Sequence, residues 1–124
     1  MSSTAPTIGV IGAGRMGLPI IGHLARRGFA TQACDLNADK RTAVTEHGAA
    51  WADSPRELAA RCDVILVCVG FDVEVRALLA EGGPLHEARA GSIVAILSTV
   101  NPDTVKALAH EAAPRGIQIG RAHV

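Results

Sequence analysis

Thr7-Ile8-Gly9-Val10-Ile11-Gly12-Ala13-Gly14-Arg15-Met16-Gly17-Leu18-Pro19 is the stretch that decides the fold. Its first five residues make a continuous run without charge, as a strand buried on both faces of a sheet should. From Met16 the apolar positions take helical spacing through Ile20 and Leu24, which predicts a helix over 16–27. Pro19 falls in its first turn, where a missing N–H costs little, and Gly28 ends it. Between strand and helix stands G-x-G-x-x-G, at Gly12, Gly14 and Gly17. Glycines also collect in ordinary turns, so the pattern alone is weak. Leaving a strand, opening a helix and followed by an acid beyond the next strand, it becomes the arrangement that holds a dinucleotide. Gly12 permits the tight turn, Gly14 removes a side chain where a pyrophosphate must approach, and Gly17 lets helix and strand pack closely. Backbone N–H groups at the helix N-terminus face the phosphates, helped by the helix dipole, and Ala13, Arg15 and Met16 are expected cofactor-binding residues with the glycines.

Asp35 closes the second predicted strand, 30–34, at the usual distance for the acid that accepts from the adenosine ribose hydroxyls. A carboxylate there repels a 2′-phosphate, and Leu36 and Asn37 supply no arginine to clamp one. NAD is therefore favoured over NADP, while Lys40 and Arg41 keep NADP in play. The alternative for Asp35 is a cap on the following turn.

Outward from this unit the chain keeps alternating. A helix is predicted over 38–46 and a short strand over 49–51. Ser54-Pro55-Arg56-Glu57 then reads as an N-cap, a first-position proline and a capping box. The run 62–69 is a strand, 73–79 a helix and 92–97 a further strand. Asn101-Pro102-Asp103 opens a helix to about residue 113, and Gly116-Ile117-Gln118-Ile119 begins another strand. Such alternation predicts an α/β fold, a Rossmann-type doubly wound parallel sheet covered on both faces.

Composition narrows the function classes. The 124 residues suit one domain, and 12 Lys+Arg balance 12 Asp+Glu. A neutral chain is a poor match for a phosphate backbone, so nucleic acid is not an expected partner. Aromatics are 2 %, with no Tyr, which argues against stacking platforms and makes the core aliphatic. Cys34, Cys62 and Cys68 form no C-x-x-C pair and read as buried free thiols, pointing to a reducing compartment. The start lacks a signal-peptide pattern and no apolar stretch reaches the roughly 20 residues of a membrane span, so a cytoplasmic protein is expected. His23, His47, His86 and His110 fall at no metal-ligand spacing, and no metal is expected.

Residues 7–19 resemble the opening of the β-hydroxyacid dehydrogenases, the 3-hydroxyisobutyrate dehydrogenase group. The continuation Met16-Gly17-Leu18-Pro19 is more telling than the glycines. The likeness runs on through Cys34-Asp35-Leu36-Asn37, Ala49-Ala50-Trp51-Ala52-Asp53-Ser54-Pro55, the 63–69 strand and Ser98-Thr99-Val100-Asn101-Pro102. It implies a hydride transfer between NAD and a small 3-hydroxy acid such as 3-hydroxyisobutyrate. It also implies that Val69 and Gly70 lie over the cofactor, Gly70 standing where the family often has Pro. Ser98 and Thr99 would sit by the nicotinamide and the substrate carboxylate, with an N-cap as the competing reading of Thr99. Ile96 stands where that motif commonly has Asp. Imine reductases and 6-phosphogluconate dehydrogenase share this front architecture and remain alternatives, as does a non-catalytic dinucleotide-binding module.

The family's catalytic lysine belongs to a motif that neither Lys40 nor Lys106 matches, so these 124 residues alone are expected to show no turnover. The helical second domain, which completes the substrate pocket and usually a homo-oligomer, is likewise not expected within them. The domain is assigned to 1–118, its sheet incomplete at the C-terminal end. Residues 119–124 are expected to be a non-native tail: Ile119-Gly120-Arg121-Ala122-His123-Val124 matches the translation of a widely used sequencing-adapter oligonucleotide.

Overall fold

A computed structural model describes residues 6–69, 72–79, 85, 88, 90–97 and 102–121. The strands are β1 (Ile8–Ile11), β2 (Thr31–Cys34), β3 (Ala50–Trp51), β4 (Val64–Val67), β5 (Ile93–Ile96) and β6 (Gln118–Arg121). Between them run α1 (Gly17–Arg26), α2 (Arg41–Glu46), α3 (Pro55–Arg61), α4 (Asp72–Leu79) and α5 (Pro102–Ala112). Single 3-10 turns, Ala38–Lys40 and Ala113–Arg115, precede α2 and follow α5. All the strand pairs are parallel, in the order β3-β2-β1-β4-β5-β6. The chain therefore leaves β1 to build outward through β2 and β3, then returns to the other side of β1 with β4. That reversal puts a crevice at the carboxyl ends of β1, β2 and β4, where open α/β sheets take their ligands.

Two aliphatic layers hold the sheet. Val10 and Ala33 pack with Ile21 of α1 and Val44 of α2 on one face. Ile11, Ile65, Val67, Val94 and Ile96 pack on the other, with Leu58 of α3, Val75 and Leu78 of α4, and Leu108 and Ala112 of α5. Coverage is less even than the apolar runs suggest. β1 is buried at all four positions, whereas β4 and β5 alternate, and Ile93 is 43 % exposed. The reason is helix placement: α1 and α2 centre on β1 and β2, leaving the same face of β5 thinly covered.

Element limits differ from the sequence reading at their ends. Of the 62–69 run, β4 takes Val64–Val67, and Cys62 is still the C-cap of α3. The predicted 38–46 helix splits: the Asn37 side chain accepts from Asp39 N–H and tightens the first turn into 3-10 geometry before α2 begins. At α3 the N-cap is as expected, Ser54 Oγ accepting from Glu57 N–H at 3.1 Å. The reciprocal bond lands one residue earlier than in a standard capping box, Glu57 Oε2 accepting from Asp53 N–H at 3.1 Å. β6 pairs in register with β5, Ile93 to Gln118 through Ile96 to Arg121, and Ile119 packs against the larger core layer.

Candidate dinucleotide site

The turn after β1 is shaped by what surrounds its glycines. Gly12 has φ +104, and a Cβ there would lie 2.6 Å from the carbonyl oxygen of Cys68, just past β4. Only glycine combines that torsion with that approach. A Cβ at Gly17 would overlap the carbonyl oxygen of Gly12, so α1 starts in direct contact with the turn that feeds it. Gly14 differs from both: a Cβ there would meet nothing within 4 Å. The fold does not need its bareness, whereas a ligand laid against this backbone would.

The amides of the turn are distributed to match. Gly12 N–H donates to the Cys34 carbonyl at 2.9 Å, and Ala13 N–H to Asp35 Oδ2 at 2.7 Å. Those of Gly14, Arg15 and Met16 donate to no group among the described residues. The N-cap of α1 is Met16, which offers no side-chain acceptor, and the first turn holds no acid. By contrast Ser54 caps α3 and Asn37 caps its 3-10 turn. A ten-residue helix whose free amides face an open surface fits an anion as its cap.

Asp35 follows β2 beside this turn. Its Oδ1 accepts from Asn37 N–H at 2.9 Å while Oδ2 holds Ala13 N–H. The turn-cap reading and the site reading are thus both satisfied by one carboxylate, since each oxygen keeps a further lone pair for a hydroxyl. The bond to Ala13 ties the acid to the glycine turn, so the two are positioned together across the tops of β1 and β2.

A cleft of about 790 Å³ opens over these groups. Gly12, Gly14, Arg15, Asp35 and Val69 line it, as the sequence reading places them. Ala13 and Gly17 lie buried behind the turn, and Met16, 40 % exposed, stands at its edge. Gly70, Ser98 and Thr99 lie outside the described residues. The sequence reading missed the outer walls. Leu36, Asp53, Ser54 and Pro55 also line the cleft, as do Glu74, Ala77 and Leu78 of α4. The i, i+3, i+4 spacing of those last three was the available signal. Cys34 and Cys68 also line the cleft, Cys34 buried and Cys68 only half-buried, so the expectation of three buried thiols holds for Cys34 and Cys62. Both cleft thiols are poor nucleophiles. Burial, followed by the neighbouring Asp35 and Cys62, pushes Cys34 from 9.0 up to about 12. Burial alone raises Cys68 to about 11.

Known proteins with similar chains bear on this cleft. L-threonate dehydrogenase of Cupriavidus necator is 35 % identical over 111 residues, covering 89 % of this chain and 37 % of that protein. An Arabidopsis thaliana protein named "Probable 3-hydroxyisobutyrate dehydrogenase-like 1, mitochondrial" is 32 % identical over 107 residues, 85 % of this chain and 32 % of that one. Among solved structures, an imine reductase from Myxococcus stipitatus in complex with NADP+ superposes with a TM-score of 0.85 at 26 % identity, covering 96 % of this chain and 42 % of its own. The chain thus spans 32–42 % of the length of these three relatives. The model of the family described as the NAD binding domain of 6-phosphogluconate dehydrogenase matches residues 7–124, and this chain belongs to that family.

Proposed function

We propose that the chain is the cofactor-holding part of an oxidoreductase that moves hydride between NAD and a small 3-hydroxy acid. The observation that carries the cofactor half is the juxtaposition of unpaired amides at Gly14, Arg15 and Met16 with the Asp35 carboxylate, across one open cleft. The amides take the pyrophosphate, Asp35 takes the ribose hydroxyls, and Val69 lies along the path to the nicotinamide end. The cofactor, when bound, supplies the hydride acceptor. This chain's residues bind and orient it, and Gly70, Ser98 and Thr99 are assigned to its nicotinamide end and to the substrate. No lysine lines the cleft among the described residues, so the group that moves the alcohol proton is assigned to the rest of the whole protein. The hydroxy-acid substrate rests on the likeness to the threonate and 3-hydroxyisobutyrate dehydrogenase names. Three free cysteines suit a reducing compartment such as the cytoplasm.

Cofactor choice gives the test. Calorimetric titration should show NADH binding more tightly than NADPH, because a 2′-phosphate would approach the Asp35 carboxylate. Asp35→Ala should weaken NADH by about 10- to 100-fold, the worth of a hydrogen bond to a charged group, and narrow the gap. Asp35→Asn keeps an acceptor for Ala13 N–H and removes the charge, so it should narrow the gap while disturbing the turn less. Tighter NADPH binding by the unaltered chain would remove Asp35 from the ribose.

A further inference from the structure

The outer part of the cleft carries a feature that phosphate and ribose binding do not use. Leu36 directly follows Asp35, is 91 % exposed and lines the cleft. The same cleft is lined by Glu74, Ala77 and Leu78 of α4, whose i, i+3, i+4 spacing puts them on one stripe of the helix. Aliphatic groups from Leu36, Ala77 and Leu78 in one cleft suit a flat heteroaromatic ring. Glu74 lies in that stripe, half-buried, and forms no hydrogen bond or ion pair among the described residues. A half-buried carboxylate beside aliphatic groups calls for a donor.

Resting on the cofactor assignment above, we infer that Glu74 selects the base of the dinucleotide by accepting from the 6-amino group of adenine. An ionised carboxylate only accepts. Adenine offers it an N–H at the 6-position, whereas hypoxanthine at the same place offers a carbonyl oxygen, which the carboxylate repels. Asp53 also reaches the cleft, but it is exposed to water and stands on the β3–α3 turn rather than in the apolar stripe. Glu74 is thus the specificity-determining acid of the pair.

The experiment compares NADH with reduced nicotinamide hypoxanthine dinucleotide, which differs from NADH in its base alone. Both are titrated calorimetrically into the unaltered chain, Glu74→Gln and Asp53→Asn. The unaltered chain should prefer NADH by about tenfold, the scale of one edge contact to a base. Glu74→Gln should bring the ratio towards one, since an amide can donate to the hypoxanthine carbonyl, and Asp53→Asn should leave it unchanged. A ratio near one in the unaltered chain, or a ratio that moves with Asp53→Asn and not with Glu74→Gln, overturns the inference while leaving the cofactor assignment standing. Binding of neither dinucleotide overturns both.

Discussion

Gly14→Val is expected to weaken dinucleotide binding by orders of magnitude while leaving the fold intact. The position accepts a Cβ freely, with nothing within 4 Å, and its φ is not in the left-handed region. The added isopropyl group therefore projects into the cleft, over the amides assigned to the pyrophosphate. Losing two charge-assisted hydrogen bonds corresponds to a drop of about 10²–10⁴-fold in affinity, for NADH and NADPH alike. Circular dichroism melts of variant and unaltered chain should superpose within a degree or two. Retained affinity would move the pyrophosphate away from this turn.

Gly17→Ala produces the opposite pattern, three residues away. Its Cβ would overlap the Gly12 carbonyl oxygen and approach the Cys68 side chain, and backbone cannot yield as a flexible side chain does. Either α1 moves off β1 or the turn opens. Overpacking of this kind costs about 1–3 kcal/mol, which lowers the melting temperature by roughly 10 °C in a domain of this size. Binding weakens as a consequence. A melt unchanged by this substitution would contradict the packing described for the turn. One motif thus contains a glycine required by a ligand and a glycine required by the fold, and the pair of variants separates them.

Local chemistry made much of this legible from residues alone. The glycine turn, Asp35, the Ser54 cap and the β1 run each declare themselves within a few positions, through torsion, capping or burial on both faces. What escaped depended on distance in sequence. The bond from Ala13 to Asp35 joins residues 22 apart and exists only because β1 and β2 are neighbours. Part of the cleft lining comes from α4, reached after α3 has carried the chain back across the sheet. Glu74 looks there like any helix-surface acid until it is seen to line the same cleft as Asp35 and Leu36. The uneven cover of β5 likewise follows from which helices lie over which strands, and an apolar run such as 92–97 does not encode that.

The central claim is that the crevice over β1, β2 and β4 holds the dinucleotide, with its phosphates on the free amides before α1. Backbone amide chemical shifts, followed by NMR as NADH is added to the 124-residue chain, test it most directly. The largest changes should fall on Gly12, Ala13, Gly14, Arg15, Met16 and Gly17, together with Asp35 and Val69. Thr7, Asp63 and Ser92, at the opposite ends of the strands, should stay within the noise. Saturating NADH that perturbs the Thr7–Asp63 end instead, or leaves the glycine turn unshifted, would contradict the account.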